Sequence, residues 1–144
     1  MQRYVLGFMF DKKAEKVALI QKIKPKWQEG LHNGIGGKIE DYDLNSHAAM
    51  VREFLEETGV LAQTWHKLLT MQEKDVFSVD VYYTFTDCVN LVRTVEKEIV
   101  KVFDLNEDWE YLRSHSISNV PWLIMACLDA DSETGRLKIT AEYQ

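Results

Sequence analysis

The sequence predicts an α/β protein built on a mixed β-sheet covered by helices. Three observations carry that expectation. Short, apolar, β-prone runs recur along the chain, and only a few helix-like segments interrupt them. No apolar run approaches the roughly 18 residues that a membrane span needs.

The elements follow in order. Arg3 to Phe10 and Lys16 to Ile23 read as strands joined by the turn-like stretch Asp11 to Glu15. Between Trp27 and Gly37 stand four of the seven glycines, which marks a loop with close backbone approach. Ser46 to Thr58 is helix-like, with Ser46 as its cap and Gly59 as its stop. Val76 to Thr86 is the clearest strand. Phe77, Val79, Val81, Tyr83 and Phe85 alternate with Ser78, Asp80, Tyr82, Thr84 and Thr86, which predicts one buried face. Ile99 to Phe103 is a shorter strand, Glu107 to Ser114 and Asn119 to Asp129 are helical, and Arg136 to Tyr143 is a last strand. With two prolines, no repeat and no low-complexity tract, residues 1–144 are expected to form a single domain.

Composition narrows the function. Apolar residues make up 46% and charged residues 28%, as in an ordinary soluble globular protein. Met1 to Lys13 carries one charge before a short alternating run, so it reads as a first strand rather than a signal peptide. Cys88 and Cys127 are too few for a disulfide framework, and two buried free thiols in a reducing cytoplasm are expected. A net charge of −6 advertises no surface for long nucleic acids, whose binding rests on phosphate neutralisation. Small polyanions stay open, because a bound cation can reverse the local sign.

The informative stretch runs from Gly36 to Val60. On a helix Glu53, Glu56 and Glu57 stand at i, i+3 and i+4 and share a face. Such carboxylates repel one another, and the negative end of the helix dipole near Gly59 adds to the repulsion. Hard oxygen ligands converging on one point are what Mg²⁺ or Mn²⁺ requires. Arg52, four residues before Glu56, can orient that carboxylate, and Ala48, Val51 and Leu55, with Ala49 and Phe54 beside them, can anchor the helix. Taken alone, three glutamates describe a solvated acidic face. The glycine pair ahead, the preceding arginine and the closing glycine argue for a site.

Together these residues resemble the Nudix hydrolase signature, G-x5-E-x7-R-E-U-x-E-E-x-G-U, where U is a bulky aliphatic residue. Arg52 to Val60 fits its second half, with Phe54 in the first U position, and Gly37 fits the opening glycine. Asp43 stands where the pattern has glutamate, and eight residues rather than seven separate it from Arg52. In the family that acid supports the loop–helix junction. Trp27 to Lys38, with its Asn33-Gly34-Ile35-Gly36-Gly37-Lys38 core, and Asn119-Val120-Pro121 further resemble the MutT-type branch, which removes oxidised purine nucleoside triphosphates.

The resemblance implies an α/β/α sandwich and metal-dependent attack on a nucleotide phosphoanhydride. By it, Mg²⁺, with Mn²⁺ as substitute, is held by Glu53, Glu56, Glu57 and the Gly36 carbonyl. Glu98 adds a carboxylate, with Glu96 its rival and a plain salt bridge the alternative for both. Glu53 is the expected general base, and Lys38 meets phosphate charge unless it is simply solvated. Asn33 and Asn119 offer amides that read a base. Trp27 and Trp122 offer stacking surfaces, although core packing is the default for both. His32 alone of the histidines lies near this pocket. The expected activity is hydrolysis of a (deoxy)nucleoside triphosphate, narrowed to 8-oxo-guanine nucleotides by the MutT likeness, in a cytoplasmic monomer or homodimer. ADP-ribose, a dinucleoside polyphosphate or a capped RNA are alternative substrates. A nucleotide-binding protein that kept the fold and lost catalysis is the alternative from another class.

Overall fold

A computed structural model of the chain describes residues 1–132 and 139–142. The described elements are β1 (Gln2–Phe10), β2 (Lys16–Gln21), β3 (His32–Asn33), β4 (Ile35–Lys38), α1 (Ser46–Thr58), β5 (His66–Glu73), β6 (Phe77–Phe85), β7 (Ile99–Asp104), α2 (Trp109–His115), α3 (Val120–Ser132) and β8 (Ile139–Glu142). The predicted last strand survives as β8, and the rest of Arg136 to Tyr143 lies outside the described residues.

The strands form one mixed sheet in the order β3-β2-β1-β6-β5-β8, with β4 joined to β1 and β7 to β2. Its centre is a parallel pair, β1 against β6, in register from Gln2 opposite Phe77 to Phe10 opposite Phe85. Side chains of β1 alternate between two cores. Val5 and Met9 face Ala49, Met50 and Phe54 of α1, while Leu6, Phe8 and Phe10 face Leu112, Leu123, Ile124 and Cys127 of α2 and α3. This is the expected helix–sheet–helix sandwich. No helix among the described residues is long and apolar enough to cross a membrane.

Several expectations are corrected. The glycine-rich stretch is not only loop, since it contributes β3 and β4, and Gly34 and Gly36 serve close packing against β1. β5 was not anticipated. A register shift between Lys67 and Leu69 places Leu68 and Leu69 both in the core, which breaks the alternation that marks a strand. β6 buries both faces, because it lies between β1 and β5 with helices on either side. Asp80, Tyr82 and Thr84, which alternate like solvent-facing residues, are covered. The cap of α1 is Asn45, whose side chain accepts the Ala48 amide at 2.8 Å, and not Ser46. Its buried side is Ala49, Met50, Phe54 and Thr58, whereas Leu55 is exposed and Ala48 and Val51 are half-buried. Gly59 ends the helix as expected, in the left-handed region at φ 77° that favours glycine. Cys127 is buried, but Cys88 is exposed.

Candidate active site

The face of α1 that carries the signature glutamates is set by its apolar side. Met50 and Phe54 pack inward, and this turns Glu53 onto β4. A Cβ at Gly37 would stand 2.5 Å from a Glu53 carboxylate oxygen, so any larger residue would push that carboxylate out of its place. A Cβ at Gly36 would run into the backbone of Val5 on β1. The two glycines therefore serve opposite needs, one for a carboxylate and one for strand packing.

Arg52 gathers the loop and the helix. Its Nε and Nη2 each donate to Asp43 at 2.8 Å, and Nη2 also donates to the Lys38 carbonyl at 3.1 Å. Nη1 donates to Glu53 at 3.0 Å and to both oxygens of Glu56 at 3.2 Å. The Tyr42 ring lies 5.3 Å from the guanidinium carbon. The Asp43 side chain is only 4% exposed and also accepts the Glu40 amide at 2.8 Å. Its hydrogen bonds with Arg52 hold the carboxyl below its ordinary pKa, and they raise that of the guanidinium. The departure from the signature is thereby accounted for. A shorter acid on a loop one residue longer still braces the junction, through a fork onto Arg52.

The three glutamates are not equivalent. Glu56 is exposed and drawn to Arg52. Glu53 is half-buried, and burial raises its pKa against the pull of Arg52. Glu57 turns elsewhere. Burial first, then the charges of Glu96, Glu98 and Glu53, push its pKa up to about 7. Glu98 is itself held by Lys22 Nζ at 3.1 Å and by the Ile23 amide at 2.7 Å.

Among the described residues no three acidic, histidine or cysteine side chains close around one point, so the convergence expected of Glu53, Glu56 and Glu57 is not preformed. The donor set nonetheless fits a hard divalent cation. It is all oxygen and mutually repulsive, and Glu57 Oε2 is buried with no hydrogen-bond partner among the described residues.

Sequence reasoning missed the anchor beneath α1. Ser46 Oγ donates to Asp80 at 2.6 Å, Thr70 Oγ1 donates to the other oxygen at 2.8 Å, and Lys67 Nζ lies at 3.3 Å. Burial works against ionisation of Asp80, but these donors outweigh it and keep the carboxyl below its ordinary pKa. The Tyr82 hydroxyl lies 2.8 Å from the same Ser46 oxygen. The signal was present as polar residues in a strand, but their partners lie on other elements.

The residues expected to read a base are divided. Asn33 pairs with Ile20, whose side chain faces α1, and its Oδ1 accepts the Gly34 amide at 2.8 Å. Asn119 stands before α3 on the other side, where its Nδ2 donates to Met71 Sδ at 3.6 Å. The two amides are therefore not brought onto one face. Trp27 and Trp122 are 69% and 48% exposed, so core packing fails as their explanation. Lys38 is exposed at the end of β4. His32 is fully buried, bonded to the Tyr111 hydroxyl at 2.9 Å and edge-on to Phe103, and belongs to the core.

Residues 1–126 match the NUDIX domain family. No protein of curated function matched by sequence. Among solved structures, the chain is similar to a MutT protein from work on Aliivibrio salmonicida and Vibrio cholerae, at 18% identity and TM-score 0.65, over 87% of this chain and 96% of that one. It is similar to the mutator MutT protein of Bacillus halodurans at 19% identity and TM-score 0.67, over 100% and 91%. The NUDIX domain of Shewanella oneidensis NrtR, complexed with ADP ribose, matches at 18% identity and TM-score 0.66, over 88% and 86%. At these identities the likeness is one of fold.

Proposed function

The chain belongs to the NUDIX family of hydrolases, which act on phosphorus anhydrides in nucleotide-type substrates, and from that premise we propose that it converts a (deoxy)nucleoside triphosphate to the monophosphate and pyrophosphate. Residues 1–144 are taken as one Nudix hydrolase domain, a cytoplasmic monomer or homodimer with no long nucleic acid or membrane as partner. Support comes from one observation above the others. Gly37 leaves room for Glu53 while Asp43 and Lys38 hold Arg52 beside it, so loop and helix meet around the Glu53 carboxylate, which supports a role for it in the chemistry.

Mg²⁺, with Mn²⁺ as substitute, is the proposed cofactor, held by Glu53, Glu56, Glu57 and the Gly36 carbonyl with Glu98 added. When bound it would neutralise phosphate oxygens and make hydroxide available near neutral pH. Glu53 takes the proton of the attacking water on its carboxylate. Arg52 keeps Glu53 and Glu56 oriented, and Lys38 offers charge to the phosphates. Asn119 and Trp122, both at the start of α3, supply an amide and a ring for the base, with Trp27 as a second ring. Asn33, on the side of α1, contacts the sugar or phosphate portion. The narrower reading is an 8-oxo-guanine nucleotide. ADP-ribose is a second reading, favoured by the likeness to the NrtR domain complexed with it.

The test is a panel of triphosphates, 8-oxo-dGTP, ADP-ribose, dinucleoside polyphosphates and capped RNA with Mg²⁺, scored for pyrophosphate against orthophosphate. Pyrophosphate release from a purine triphosphate is expected, and activity confined to ADP-ribose would replace this reading with the second. Glu57→Gln should remove roughly 2–4 kcal/mol of transition-state stabilisation, comparable with losing one oxyanion donor. Wild-type turnover in that variant at saturating metal would remove Glu57 from the site.

A further inference from the structure

The sheet face opposite α1 is unevenly covered. α2 and α3 lie over Leu6, Phe8, Phe10, Val81 and Tyr83. Beyond them the ends of three adjacent strands, at Gln2 to Tyr4, Phe77 to Val79 and Gln72 to Glu73, are exposed or half-buried.

Register arranges that open end. Lys38 is opposite Tyr4, Tyr4 is opposite Val79, and Val79 is opposite Met71, so four neighbouring strands contribute one row. Paired residues share a face, and Val79 and Met71 belong to the core on the side of α3. The row therefore begins with the Lys38 ammonium and ends at Met71, where Asn119 Nδ2 approaches the sulfur at 3.6 Å. Between them stands the Tyr4 ring, 36% exposed. With strands about 4.8 Å apart, Tyr4 is one strand from Lys38 and two from Met71, a span of about 14 Å that suits a nucleotide.

We propose that Tyr4 is a specificity-determining residue, the platform on which the substrate's base lies, with Asn119 at the base edge and Lys38 toward the phosphates. This rests on the nucleotide reading above. An exposed tyrosine near the start of a strand is ordinary by itself. Its place in a row of apolar side chains, with a cation at one end and an amide at the other, is not. The route to the glutamates is short. Gly37, next to Lys38, meets Glu53 from the other face, and β4 pairs only with β1 among the described strands. Phosphates extending from a base on Tyr4 have one strand of backbone to pass, at a pair of glycines.

The experiment compares Tyr4→Ala and Tyr4→Phe in the full chain. Two quantities are read: the Kd of a purine nucleoside monophosphate by calorimetry, and kcat and KM for the triphosphate. Base–aromatic stacking lost to alanine should raise Kd and KM together by about 5–100-fold, leave kcat within about twofold, and spare Tyr4→Phe. Pyrimidine nucleotides should lose less. An unchanged Kd in Tyr4→Ala, or a fall in kcat at constant KM, would overturn the platform. If the parent hydrolyses no triphosphate but binds the monophosphate in a Tyr4-dependent way, the hydrolytic reading fails and the platform stands. Brisk hydrolysis without Tyr4 dependence gives the reverse.

Discussion

The two faces of the sheet are held by different chemistry. Under α1, and in the loop that leads to it, charged groups flank an apolar core that includes Met50, Phe54 and Trp65. Arg52 binds Asp43, Glu53 and Glu56, and Asp80 binds Ser46, Thr70 and Lys67. On the opposite face His32, Phe103 and Tyr111 interlock by ring contacts with a single side-chain hydrogen bond, and Phe10 stacks on Phe85. A fork of charge-assisted hydrogen bonds fixes angle as well as distance. Aromatic packing fills volume and sets only the tilt and offset of the rings. The difference is one of directionality.

The most severe test of that contrast is Arg52→Ala. It strands the nearly buried Asp43 carboxylate and frees Glu53 and Glu56. A stability loss of about 3 kcal/mol is expected, since breaking such a pair leaves an uncompensated charge. kcat/KM should fall by about 100-fold or more through misplaced carboxylates. Denaturant unfolding alongside steady-state kinetics measures both, and a loss confined to stability would show that the fork serves only the fold. Asp43→Asn is milder. It keeps shape and loses charge, so about 1–2 kcal/mol should go while the Mg²⁺ requirement holds. A shift of more than about tenfold in half-saturating Mg²⁺ would make Asp43 a ligand rather than a brace.

The smallest effect separates the faces by pH. His32 has its pKa lowered from 6.5, by burial first and then by Lys101 and His115. The unfolded chain therefore takes the proton first, and stability contributed by neutral His32 is lost as pH falls below 6.5. Asp43 is lowered from 3.8, so its contribution is present above that value and is lost only in stronger acid. On acidification the His32 contribution is lost first and that of Asp43 second, while Glu57, whose pKa is pushed up to about 7, adds stability as pH falls through that value and offsets part of the first loss. In melting temperature against pH, His32→Phe should remove the first loss and leave the second, and an unchanged first loss in that variant would assign it to another group.

What the sequence made legible was local. Arg52, Glu53 and Glu56 lie within about one turn of one helix, so spacing alone discloses that they meet, and Gly59 is legible as the helix stop. Asp43 was recognisable as a departure, but its fork onto Arg52 required the loop's path. Asp80 reads as a solvent-facing residue of an alternating strand, because its partners stand 34 positions before it and 10 before it. Asn33 and Asn119 look like one pair until the pairing of β3 with β2 turns the first toward α1. The overlooked β5 fails by a different cause, an extra residue that puts two leucines in succession into the core.

The parallel pairing of β1 with β6 joins residues 75 positions apart, since Gln2 meets Phe77. Contacts of that separation close a long loop before they are rewarded, and they slow folding. As the chain leaves the ribosome, α1 can settle on β1 and β4, which precede it, but Asp80 and Tyr82, which hold Ser46 at its start, follow more than twenty residues after Gly59. The polar anchor of the glutamate helix is thus completed late in synthesis, and a pause before Phe85 leaves that end of the helix and the unpaired edge of β1 exposed.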